Sequence, residues 1–257
     1  DFLIQCKTER ESVSEAVRLA EECGFKPLGS FDTLKEGDKV YAVNKLRSVM
    51  LAVIGSEQLT NGVNIVGAHI DAPRLDLKPN PLYEDGEMAF LITHYYGGIK
   101  RYLWSAIPLA LHGVVITKDG ETVNIRIGDE NDDVTFVITD LLPHLAGEQM
   151  KKSASEIIEG EQLNILIGAM PSPDEEKEAV KENILAILNE KYGICEEDFL
   201  SAELQIVPAA NAKDVGFDRS LIGSYAHDDR VCAYPSLMAI LTTEACDKTA
   251  VCILTDK

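Results

Sequence analysis

Two short segments hold the residue types from which hydrolytic chemistry is built. The first is Val66-Gly67-Ala68-His69-Ile70-Asp71-Ala72-Pro73, an apolar run that ends on an imidazole and a carboxylate two positions apart. Side chains alternate along a strand, so His69 and Asp71 point to the same side. One of them can coordinate a metal ion while the other orients the imidazole from behind. The carboxyl end of a strand is also where open α/β sheets bind ligands. The second segment is Ala226-His227-Asp228-Asp229-Arg230, in which adjacent carboxylates follow a glycine-bearing loop and precede an apolar helical stretch. A carboxylate placed there could sit between two cations. Each segment has a plain alternative, a surface histidine beside an acid and a solvated helix start. The letters alone do not choose between Asp228 and Asp229.

Other reactive side chains suggest less. The six cysteines form no Cys-x-x-Cys pair, which fits a reducing, cytoplasmic compartment. Cys23 and Cys252 are expected as small buried hydrophobes. Tyr95, Tyr96, Tyr102 and Trp104 flank Gly97 and Gly98 and are expected in core or subunit contacts. His112 and His227 are expected as packing or surface residues. There is no Gly-x-Ser-x-Gly elbow and no Walker-type glycine loop, so serine hydrolase and nucleotidase chemistry are disfavoured.

The elements that must position these residues follow from pattern. Thr8 with Glu11 three residues on makes a capping box, and Val13, Ala16, Val17 and Ala20 recur at helical spacing until Gly24. Strand-like runs follow at Lys39 to Val43, Ser48 to Ile54 and Asn64 to Ala68, the last delivering His69. From Pro73 to about Pro208 the texture becomes β-rich, with runs at Gly113 to Thr117, Thr122 to Ile127 and Val134 to Ile138. One helix interrupts it, expected to start at Ser172-Pro173 and to end at Gly193. A helical stretch from Val231 to about Thr243 and an apolar strand, Ala250 to Leu254, restore the α/β pattern.

With 257 residues, 46% of them hydrophobic, the chain can build a large core, and no apolar run is long enough to span a bilayer. A soluble protein without a membrane partner is expected. Forty-three acidic residues against 24 basic ones give a net charge of −19, which repels phosphate backbones and argues against a nucleic-acid partner.

Together the two segments match the order found in co-catalytic zinc exopeptidases. Most of the chain resembles the bacterial branch of the aspartyl aminopeptidase family, on Gly67 to Asp76, Thr93-His94-Tyr95-Tyr96-Gly97-Gly98-Ile99-Lys100, Leu141-Leu142-Pro143-His144-Leu145 and Ala226 to Arg230. The resemblance implies an α/β, zinc-exopeptidase-like three-layer sandwich (phosphorylase/hydrolase-like). Residues 1–75 and 209–257 would form it, and 76–208 would be an inserted β-rich dimerisation or lid domain.

It further implies that His69 ligates zinc, that Asp71 supports it as a catalytic residue, and that Asp228 bridges two metal ions across a cis bond to a positioning Asp229. His144 would be a catalytic histidine reaching a neighbouring subunit, whereas His94 belongs to a structural signature. The implied enzyme is a metalloaminopeptidase that removes the amino-terminal residue of peptide substrates, with a preference for acidic residues implied by the family name. Its water would be activated by two zinc ions, manganese or cobalt being the other metals such donors accept, and the assembly would be a homo-oligomer, commonly a tetrahedral dodecamer. In the family a pair of glutamates, one the general base, follows the next strand, and the chain ends where that pair would begin. A longer protein is therefore expected, with a non-catalytic assembly partner as the alternative.

Overall fold

The structure, a computed structural model, describes residues 1–132 and 134–257. In chain order the elements are α1 (Phe2–Gln5), α2 (Glu9–Glu22), β1 (Lys26–Pro27), β2 (Lys39–Asn44), β3 (Ser48–Val53), β4 (Asn64–His69), β5 (Arg74–Asp85) and β6 (Met88–Tyr96). There follow β7 (Leu109–Ile116), β8 (Thr122–Ile127), β9 (Ile165–Gly168), α3 (Ala179–Tyr192), β10 (Glu203–Pro208), β11 (Lys213–Val215), β12 (Leu221–Gly223), α4 (His227–Leu241) and β13 (Ala250–Thr255). They fall into two units, one made of Asp1–Ala72 with Asn211–Lys257 and the other of Pro73–Ala210.

The first unit is an α/β sandwich. Its five-stranded sheet has the order β1-β2-β3-β13-β4, with β13 antiparallel to β3 and parallel to β4. At the amino terminus of α2 the Thr8 hydroxyl accepts from the Glu11 amide while the Glu11 carboxylate accepts from the Thr8 amide, so two otherwise orphaned donors are satisfied. The stripe Val13, Ala16 and Ala20 packs with Ala233 and Leu237 of α4 onto Val49, Leu51 and Val53 of β3 and Cys252 and Leu254 of β13. These strand residues share one face by alternation, so α2 and α4 cover the same side of the sheet. On the other face Ile65 is 62% exposed and Ile253 36%.

Cys252 is buried, but Cys23 is exposed, contrary to expectation. Cys23 is the C-cap of α2, one position beyond the last helical residue, Glu22, where the core-facing stripe that ends at Ala20 no longer continues. No helix among the described residues is long and apolar enough to cross a membrane.

The second unit is built on a six-stranded, wholly antiparallel sheet of order β8-β7-β10-β5-β6-β9. Its longest strand, β5, absorbs Pro79 and Pro81 at the place where its register with β6 shifts, between Leu77 and Leu82. Proline has no amide hydrogen to give a ladder, so a break in pairing is where it fits. Val180 of α3 packs into the core with Ile165, Phe199 and Leu204, and Ile184 and Leu188 lie against it.

Two expectations fail in this unit. The helix starts at Ala179 and not at Ser172-Pro173, because its first amides are capped from outside: the Glu84 carboxylate of β5 accepts from Val180 at 2.9 Å and Lys181 at 3.0 Å. Gly193 does end it, with φ of +68°. Val134 to Ile138 forms isolated bridges, Phe136 to Leu109 and Val137 to Leu166, in place of a strand. Trp104 is buried as expected of a core residue, whereas Tyr95 and Tyr102 stay 38% and 37% exposed.

Candidate metal centre

The parallel pairing of β4 with β13 carries the chain to the site. Thr255 lies opposite His69, and the Ile70 amide donates to the Thr255 carbonyl at 2.9 Å. Ile70 is fully buried, which pins the backbone between His69 and Asp71. Just beyond the strand the imidazole folds onto Asp71: Nδ1 lies 3.2 Å from the Asp71 carboxylate and 3.2 Å from its carbonyl oxygen. Asp71 is only 4% exposed and its carboxylate also accepts from the Lys257 amide at 3.1 Å. A carboxylate held this way keeps the proton on Nδ1 and leaves the Nε2 lone pair facing outward.

That lone pair faces the start of α4. His69 Nε2 is 3.2 Å from Asp228 Oδ1 and 3.9 Å from Asp229 Oδ2. Asp228 and Asp229 have non-helical backbone angles, so the regular turns of α4 begin at Arg230, and the peptide bond between the two aspartates is cis, as the resemblance implied. The two carboxylates differ in setting. The Asp228 side chain is 91% exposed, while Asp229 is 21% exposed and accepts from the Cys232 thiol one turn on, a bond that raises the thiol's pKa.

His69, Asp228 and Asp229 are the one group of three or more His, Cys, Asp or Glu donors among the described residues whose ligand atoms all lie within 4.8 Å of one another. The set fits zinc on two counts. Two ligands each at roughly 2.0–2.1 Å around a tetrahedral ion are about 3.3 Å apart, and the His69 to Asp228 separation is 3.2 Å. A bare lone pair turned to carboxylates at that distance is repulsive, and a cation between them reverses the sign.

The remaining candidate histidines lie elsewhere. His144 is exposed, on a turn of the second unit beside Leu141, Leu142 and Leu145, which are 53%, 66% and 71% exposed. His94 is exposed on β6 and stacks on Tyr95. His112 is buried against Asp129, and His227 bonds the Ile222 carbonyl. Arg230, which has no assigned role in the sequence motif, is the buried charged residue of the segment. A lone arginine opening an apolar helix was the available signal.

A sequence profile described as Aminopeptidase I zinc metalloprotease (M18) matches residues 2–257. The chain belongs to the M18 aminopeptidase family. Among relatives of that family, a Clostridium acetobutylicum protein called Probable M18 family aminopeptidase 1 is 55% identical over 262 residues, covering 100% of this chain and 56% of its own length. The crystal structure of the M18 aminopeptidase of Thermotoga maritima superposes with a TM-score of 0.95 at 49% identity, covering 100% of this chain and 56% of that one. Aminopeptidase I of Clostridium acetobutylicum gives 0.90 at 53% identity, covering 100% and 57%. The chain thus spans little more than half the length of the M18 relatives it matches.

Proposed function

We propose that the full-length protein is a zinc aminopeptidase that removes amino-terminal residues from peptides, acidic ones by preference, and that this chain supplies one His-carboxylate part of a two-zinc centre. The observation that carries this reading is the convergence of His69 Nε2 with the Asp228 carboxylate at 3.2 Å, in a chain of the M18 family. Zinc bound there supplies Lewis acidity, polarising a peptide carbonyl and acidifying water. His69 gives the ion its Nε2 lone pair. Asp71 holds the proton on Nδ1 and fixes the ring. Asp228, the more exposed acid, would hold metal together with His69, whereas Asp229, tied to Cys232, would position the turn.

Assembly into a homo-oligomer, with the 73–210 unit as its interface, is part of the same proposal. A yeast structure that shares the fold at 18% identity is described as a dodecamer. The exposed leucines around His144 suit burial against another subunit, and His144 would there approach a neighbouring site.

The test is turnover of amino-terminally blocked and free peptides by the full-length protein and its Asp228→Asn variant. Only free peptides should be cleaved, chelation should abolish the activity, and the variant should lose it by roughly 100-fold or more. Equal turnover by the variant would refute the assignment, and no turnover by the intact zinc-loaded protein would favour a non-catalytic assembly partner.

A further inference from the structure

A guanidinium is buried beneath the site. Arg230 is 1% exposed, its Nε donates to Ser12 Oγ of α2 at 3.3 Å, and one Nη donates to the Ile70 carbonyl at 3.1 Å. The other Nη has no hydrogen-bond partner. A guanidinium buried this deeply with one nitrogen left unpaired is costly to hold in the fold. Replacing such a group with an apolar one of similar size is often neutral or stabilising. Fold stability alone is therefore a poor account of why an arginine stands there.

Its connections give a better one. Ile70 joins His69 to Asp71, and Arg230 follows Asp229 directly in the chain. One side chain thus ties the backbone of the histidine half of the centre to the backbone of the aspartate half. Ser12 is itself anchored, since its hydroxyl donates to the Thr8 carbonyl at the capped start of α2. The fork of a guanidinium can reach both acceptors at once, which a lysine ammonium on a flexible stem cannot do with fixed geometry.

We propose that Arg230 is a positioning residue that sets the distance between His69 Nε2 and the Asp228 carboxylate, and thereby the affinity of this half-site for a divalent metal ion. The inference rests on the metal reading above. Its test uses the full-length protein and the variants Arg230→Met, Arg230→Lys and Ser12→Ala. Zinc affinity is read by competition with a chromophoric chelator, coordination by the visible spectrum of the cobalt-substituted protein, and stability by thermal melting of the metal-free protein.

R230M should bind zinc roughly 10- to 100-fold more weakly, the range found when groups that orient metal ligands are removed. Its metal-free melting temperature should be unchanged or higher, its cobalt spectrum altered, and kcat lowered with KM nearly constant. R230K should recover part of the affinity, and S12A should lose less than R230M. Wild-type zinc affinity in R230M, or in R230K should R230M fail to fold, overturns the role of Arg230 while leaving the metal centre standing. An intact protein that binds no zinc at His69 and Asp228 removes both.

Discussion

At the scale of single residues, the division of labour around His69 follows from which ring nitrogen meets which acid. Asp71 is nearly buried and engaged on one oxygen by Nδ1 and the Lys257 amide, so it is a poor place for a metal and a good place for a proton acceptor. Asp71→Asn keeps the size and one acceptor but removes the charged partner that orients the imidazole through Nδ1. Zinc binding should weaken by roughly 10- to 100-fold, read by chelator competition, with the circular dichroism of the metal-free protein unchanged. Unaltered affinity would mean that Asp71 merely packs.

The spacing of His69 and Asp71 made the pairing of these two side chains visible from sequence, although β4 ends at His69 and it is the bond from the Ile70 amide to Thr255, not continued strand, that holds the link between them. The nearer approach of Asp228 was not visible, since two adjacent carboxylates are chemically alike until a cis bond and a thiol hydrogen bond separate them. Arg230 was hidden for a different reason. Its burial is a property of α2, β4 and α4 packed together, and no local pattern encodes it.

At the scale of elements, sequence reasoning succeeded where the stabilising partner is local and failed where it is distant. The α2 cap lies within four residues, and the strand pair Lys39–Asn44 and Ser48–Val53 closes through a short turn, so both were legible. The start of α3 is set by Glu84, nearly one hundred residues away, and was misplaced.

A similar cap gives a pH prediction. Asp198, buried below Cys195, accepts from the Cys195 amide at 2.8 Å and the Lys118 amide at 2.9 Å, and these bonds hold its carboxyl below the usual range. A depressed folded-state pKa contributes stability that is complete above the unfolded value, about 3.9, and is lost as pH falls through the folded one. Asp198→Asn should therefore cost about 1–2 kcal/mol at neutral pH, with the gap to wild type closing below pH of about 4. Denaturant melts between these pH values check it, and a gap independent of pH would show that the charge is irrelevant.

At the scale of the whole molecule, the sheet class was legible because apolar runs of strand length alternate with capped helical stretches, and the family because its signature residues sit at strand ends and loops. The insertion of β10 between β7 and β5 was not legible, since pairing between strands far apart in sequence leaves no local trace. The acidity of the chain, net −19, further sharpens the meaning of the site. Two carboxylates turned toward one imidazole add to a field that already favours a cation, so a divalent ion bound at the proposed centre would lower the electrostatic energy of the fold.

The most direct test is anomalous diffraction above the zinc absorption edge, on crystals of the full-length protein grown with zinc. A peak about 2.0–2.2 Å from both His69 Nε2 and an Asp228 oxygen is the predicted result. An anomalous map with no peak at these two atoms would contradict it.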